Sequence, residues 1–274
     1  MGFTIVRRCV LGAWFLLPAS LVSAESPTDM SALLERAGKS RVILVGEIHG
    51  TAEVPKLTGD LAAVIAAEYT LIVGLEVPRD EQKRIDAFLD SAGTSADRAA
   101  LLAGNFWSRA YQDGRSSLAM ADLLERLRLL RSEADIEVLA LDQLSGGLVD
   151  GDTRDRVMAE RLSEALQADP EARALVLAGN FHTRVQMGAP WNESHQFLGY
   201  RLKAFDPYAI EVLANAGSAW TCTGADAASC EARSFPAQTL LPGMQLGDEV
   251  GARGHHGTWR IDSTRASAPA VTGD

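Results

Sequence analysis

RVILVGEIHGTAE (residues 41–53) and ALVLAGNFHTR (residues 174–184) share one grammar: a run of branched apolar residues, a Gly, an acid or amide, one more apolar residue and a His. Val42-Ile43-Leu44-Val45 and Leu175-Val176-Leu177-Ala178 read as strands buried on both faces, the signature of a parallel sheet in an α/β protein. The Gly after each run ends the strand and removes a side chain where a ligand or another backbone must come close. In extended chain, residues two apart project to the same side. Glu47 is therefore expected beside His49, and Asn180 beside His182 and Arg184. Ligands of open α/β sheets bind outside the carboxyl ends of the strands, so both His-bearing ends fall where chemistry is expected.

The strands between and around these two complete the pattern. Residues 30–37 read as a short helix, and Pro55 suits the first turn of a helix striped by Leu57, Leu61, Val64 and Ile65. LIVGL (residues 71–75) is a second buried strand delivering Glu76. Asp80 caps a helix carrying Ile85, Phe88 and Leu89, and Ser116 or Ser117 caps an amphipathic helix with Met120, Leu123, Leu124, Leu127 and Leu130 on one face. IEVLAL (residues 136–141) is a third strand, ending at Asp142, and residues 153–168 form the helix leading into the second signature strand. Strand-helix alternation with short connections predicts a single α/β domain with a mainly parallel sheet flanked by helices. All four strand ends then lie on one edge. Residues 209–213 read as a further strand and residues 258–261 as a last edge strand.

The chain opens with two arginines, an apolar stretch short for a membrane span, and Val22-Ser23-Ala24 as a small-residue cleavage site. This reads as a secretory signal over residues 1–24, the alternative being a membrane anchor. The domain is then expected over residues 25–262, with a disordered tail over residues 263–274. The formal net charge of −10 becomes −12 once Arg7 and Arg8 depart, which argues against nucleic acid as a partner. With Cys9 in the signal, Cys222 and Cys230 are expected to form a local disulfide, and the destination is periplasmic or secreted.

No G-x-S-x-G elbow, H-E-x-x-H, P-loop or G-x-G-x-x-G occurs. What remains is two imidazoles with Glu47, Glu76 and Asp142. Such a set can hold a divalent metal, activate water directly through His and Glu, or line a small-molecule pocket without chemistry. Singly, each acid is an ordinary strand-end residue more often than not. His195, in WNESHQF, reads as solvent-exposed, and His255-His256 as a flexible surface pair. Arg184 reads as an anion clamp beside His182. Trp107, Arg109 and Tyr111 read as packing residues of a lid helix.

Gly46-Glu47-Ile48-His49-Gly50, Gly74-Leu75-Glu76 and Gly179-Asn180-Phe181-His182 resemble the superfamily that joins ChaN-like haem-binding proteins, TIKI/TraB metalloproteases and erythromycin esterases. Its members share two G-x-x-H motifs and an intervening Glu on an α/β scaffold. Residues 82–89 and 106–128 look most like the ChaN-like branch. That branch implies haem binding linked to iron uptake with Tyr and His as candidate iron ligands, here His49 and His182 with Tyr111, Tyr200 and Tyr208 as the candidate tyrosines, and Asn180 and Arg184 beside the group. The other branches imply hydrolysis, either through a divalent metal (Mn, Co or Zn) on Glu47, His49, Glu76 and His182 or through the same four residues acting on water alone. A partner-binding module with a vestigial pocket is a third reading. The chain lacks the Cys that a lipoprotein would carry after cleavage, so a soluble periplasmic form is expected rather than an anchored one.

Overall fold

The computed structural model describes Met1, residues 27–143 and residues 150–272; the expected signal segment lies, Met1 apart, outside the described residues. The elements run α1 (Pro27–Ala37), β1 (Val42–Glu47), α2 (Glu53–Ala66), β2 (Leu71–Pro78), α3 (Gln82–Leu89), α4 (Ser95–Leu102), α5 (Asn105–Ser108), α6 (Leu118–Arg131), β3 (Ile136–Asp142) and α7 (Gly151–Ala168). There follow β4 (Arg173–Gly179), α8 (Leu198–Arg201), β5 (Tyr208–Cys222), β6 (Cys230–Ser234), β7 (Gly243–Leu246) and β8 (Gly257–Thr264).

One sheet runs β3-β2-β4-β1-β5-β8-β7, with β6 paired to β5. The pairs from β3 through β8 are parallel, whereas β7 and β6 run antiparallel to their neighbours. The uninterrupted apolar runs are explained by burial on two sides. Ile43, Val45, Val73, Leu75, Leu175 and Leu177 face a core shared with α1, α2 and α6. Val42, Leu44, Ile72, Ala174 and Val176 face Met158, Leu162 and Leu166 of α7 and Leu198 of α8. Among the described residues no helix is long and apolar enough to cross a membrane.

The C-terminal third departs from the sequence-based expectation. β8 is an interior strand, because β7, whose four residues carry too little pattern to stand out, covers its outer side. Residues 263–272, expected as a disordered tail, are laid across the molecule. Thr51 bridges to Ala266 and Ser117 to Pro269, the Ser267 and Ala270 amides donate to the Gly50 and Ser116 carbonyls at 2.8 and 2.9 Å, and Ser267 is buried. The small polar composition of that stretch hid it, since its partners lie some 150 or more residues upstream and leave no local pattern. Cys222 and Cys230 form the expected disulfide across the start of the β5–β6 hairpin.

Candidate functional site

The site is assembled by register. Glu47 on β1 stands beside Gly179 on β4, and Leu75 on β2 stands beside Leu177, so Glu76 flanks Gly179 from the other side. Glu76 was expected past the strand end, but β2 continues to Pro78 and its register against β3 shifts between Leu75 and Pro78, an irregularity of the kind that re-aims side chains near active sites. The Gly179 amide donates to Glu76 Oε2 at 2.7 Å. A Cβ at Gly179 would sit 3.1 Å from His49 Nε2, 3.4 Å from Glu76 Oε2 and 3.6 Å from His182 Cδ2. Gly179 is thus the floor over which the four predicted residues meet.

The i, i+2 pairing on β1 is found: His49 Nδ1 lies 2.8 Å from Glu47 Oε1. His49 Nε2 lies 3.3 Å from Glu76 Oε2. Burial by itself would push His49 down, but the Glu76 charge and the hydrogen bonds to Glu47 and Glu76 outweigh it and raise its pKa to about 10. Burial pushes Glu47 up, opposed by its bond to His49, whereas Glu76, also penalised by burial, is held well below the usual carboxylate range by His49, His182 and Arg154. His49 is consequently an imidazolium between two buried carboxylates.

His182 is held differently. Its Nδ1 lies 2.6 Å from Asp155 Oδ1, and Asp155 Oδ2 in turn meets His195 Nε2 at 2.9 Å. With Nδ1–H donating to the carboxylate, Nε2 is the nitrogen left to accept from Arg154 Nη1 at 3.2 Å. Arg154 also donates to Glu76 Oε1 at 2.5 Å and to both oxygens of Asp142 at 2.7 and 2.6 Å. Arg115 bridges Asp142 (2.7 Å), Glu76 (3.4 Å) and Asp113 (2.8 Å). Asp113, despite burial, is lowered to about 2 by Arg115.

Arg115, Arg154 and Asp155 were not anticipated from the sequence. One signal was present: Asp155, Met158, Ala159, Leu162 and Leu166 are the buried stripe of α7, and an acid on an apolar stripe at helical spacing demands a buried partner.

Several expectations are corrected. β4 ends at Gly179 and the chain turns, so the i, i+2 rule fails after it. Asn180 donates to Glu211 at 2.8 Å, and the Arg184 guanidinium lies over the rings of Phe181 and Phe197 at 4.4 and 5.6 Å. Tyr111 gives its hydroxyl to the Gly224 carbonyl, while Trp107 is fully buried as a packing residue. His195 is buried, not exposed, because Asp155 accepts from it. His255 is buried with Nε2 2.9 Å from Thr183 Oγ1, and His256 stacks on Tyr208 while accepting from the Ala209 amide.

Neither implied group fits this arrangement. For a divalent metal, the Arg154 guanidinium already occupies the junction of Glu76, Asp142 and His182, and among the described residues no group of three or more His, Cys, Asp or Glu side chains is disposed to hold an ion. For haem, His49 has both ring nitrogens on carboxylates, Glu47 and Glu76, so one of the two expected iron ligands has no nitrogen to offer. A surface groove of about 470 Å³ between α7 and α8 holds none of these residues.

No family model and no curated protein matches this chain. Solved structures do. A succinoglycan biosynthesis protein superposes with a TM-score of 0.67 at 10% identity over 89% of this chain and 93% of its own. A protein from Bacillus cereus gives 0.64 at 10% identity over 91% and 94%. A His-to-Asn mutant of an erythromycin esterase in its open conformation gives 0.57 at 12% identity over 88% and 95%. The likeness is one of fold.

Proposed function

We propose that this chain is a hydrolase that activates water through His182 and Asp155 without a metal. The observation carrying this reading is the placement of two imidazoles around Glu76: His182, oriented by Asp155 so that Nε2 is turned to Arg154 and Glu76, and His49, set between Glu47 and Glu76, which raise its pKa to about 10. A carboxylate on Nδ1 fixes the tautomer that accepts a proton at Nε2. The superfamily resemblance, with its metal-free esterase branch, points the same way, and so does the fold shared with an erythromycin esterase.

In the reaction, a water gives a proton to His182 Nε2 as its oxygen bonds to the carbonyl carbon of an ester or amide. The negative charge that collects on the carbonyl oxygen is offset by the His49 imidazolium and the Arg154 guanidinium. When the carbon–oxygen or carbon–nitrogen bond breaks, the leaving group takes the proton back from His182. The four groups of the resemblance thereby take distinct tasks: His182 moves the proton, His49 stabilises charge, and Glu47 and Glu76 keep His49 charged and placed. Export is part of the proposal, supported by the leader-like first 24 residues and the Cys222–Cys230 disulfide.

The test is turnover of a panel of ester and peptide substrates in the presence of a chelator. Activity is expected to persist, and His182→Ala or Asp155→Asn is expected to lower kcat by about 10²- to 10⁴-fold. Turnover that requires added Mn²⁺, Co²⁺ or Zn²⁺, or that survives His182→Ala, overturns the proposal. A hemin Soret shift abolished by His49→Ala and His182→Ala would replace it with haem binding.

A further inference from the structure

β5 does not stop where β1 does. Its pairing with β1 ends at Gly46–Glu211, yet β5 continues beside β8 to Gly217 and from there beside β6 to Cys222. Where β1 gives way to Ile48, the over-running strands and residues 235–238 enclose a cavity of about 430 Å³, within the size range of small-molecule sites. Ile48, the residue between Glu47 and His49, forms part of its wall and is 40% exposed. Val54, Leu213 and Phe235 add apolar surface.

The polar lining is one-sided. Arg253 and Arg260 line the cavity and no acid does, in a chain of net charge −10. Arg253 is already matched by the buried carboxylate of Glu211. Half-buried Arg260 makes no ion pair among the described residues, and its side-chain hydrogen bond is a long one, 3.5 Å to Asn215 Oδ1. Two further wall residues, Thr51 and Thr264, are 2% and 4% exposed and carry hydroxyl groups with no hydrogen-bond partner among the described residues. Buried hydroxyls without partners, and a half-buried guanidinium with one long hydrogen bond and no ion pair among the described residues, are costly unless something supplies the missing acceptors.

From this we infer that the cavity binds an apolar segment carrying an anionic group, a carboxylate on a hydrocarbon stem, with Arg260 as the counter-charge. The identification of that molecule as part of the hydrolysed substrate rests on the hydrolytic reading; the binding itself does not. Proximity to Ile48 then selects esters or amides bearing a negative charge on an apolar chain.

Octanoate is the probe, with octanol as its uncharged counterpart, each titrated calorimetrically into the full chain. Octanoate is expected to bind the wild type and His182→Ala alike, to bind Arg260→Gln about tenfold more weakly, and to recover in part with Arg260→Lys. Octanol is expected to bind weakly and without regard to Arg260. Equal octanoate affinity in wild type and Arg260→Gln, or no octanoate binding to the folded wild type, overturns the inference. Octanoate binding that depends on Arg260 in a protein that hydrolyses none of the panel supports the cavity while removing the hydrolytic reading, so the two fail separately.

Discussion

His49 and His182 occupy the same position in the same local phrase, yet the fold gives them opposite electrostatic settings. His49 lies between Glu47 and Glu76 and is a cation. His182 has Asp155 behind it, the Arg154 guanidinium in front and Glu76 farther off at 3.8 Å. The difference is made by α7, which brings Arg154 and Asp155 to one strand end and nothing comparable to the other. A repeated motif thus fixes where an imidazole stands, while residues far away in the chain decide what surrounds it.

The sharpest way to break this contrast is to remove its divider. Arg154→Met leaves buried Glu76 and Asp142 short of their principal counter-charge, and is expected to cost about 3–5 kcal/mol of stability, the range for an uncompensated buried ion partner. Denaturant titration reads it; a loss under 1 kcal/mol would show that Arg115 alone neutralises both acids. Next comes the charge on His49. Because its folded-state pKa is raised from 6.5 to about 10, its contribution to stability is complete below about pH 6.5 and is lost as the pH rises through 10. The stability gap between wild type and His49→Gln should therefore shrink from pH 7 to pH 10.5. A gap that stays constant over that interval would mean the ring is not an imidazolium.

The smallest effect concerns an imidazole of a third kind. Burial and the Arg184 charge, opposed by Glu211, lower His255 to about 4. The unfolded chain then takes up a proton below pH 6.5 that the folded one refuses until about pH 4, so stability falls with acidification across that window. His255→Gln is expected to flatten the acid limb there, measured by thermal unfolding from pH 7 to 4. An unchanged limb would assign the acid sensitivity elsewhere.

The sheet was legible because strands buried on both faces write continuous apolar runs, and the edge holding the site followed from parallelism alone. Glu47 beside His49 was legible because two-residue alternation persists across the end of β1. It failed after β4, where the chain turns at Gly179 and sends Asn180 toward Glu211 and Arg184 onto Phe181. Arg115 and Arg154 were invisible, since a surface arginine and one reaching into a cleft look the same when read locally. The order of the last strands was equally hidden: β7 is short, and residues 263–272 gain their structure from backbone groups around positions 50 and 117.

That crossing of residues 266–270 over the turn after His49 has a temporal meaning. Synthesis proceeds from the N-terminus, so both histidines and all their acidic partners leave the ribosome before the segment that buttresses positions 50–52 and 116–118 exists. A nascent chain halted before residue 266 would hold every group of the proposed chemistry without the brace that settles them. Competence would then arrive late, at the close of translation or, for an exported chain, beyond the membrane.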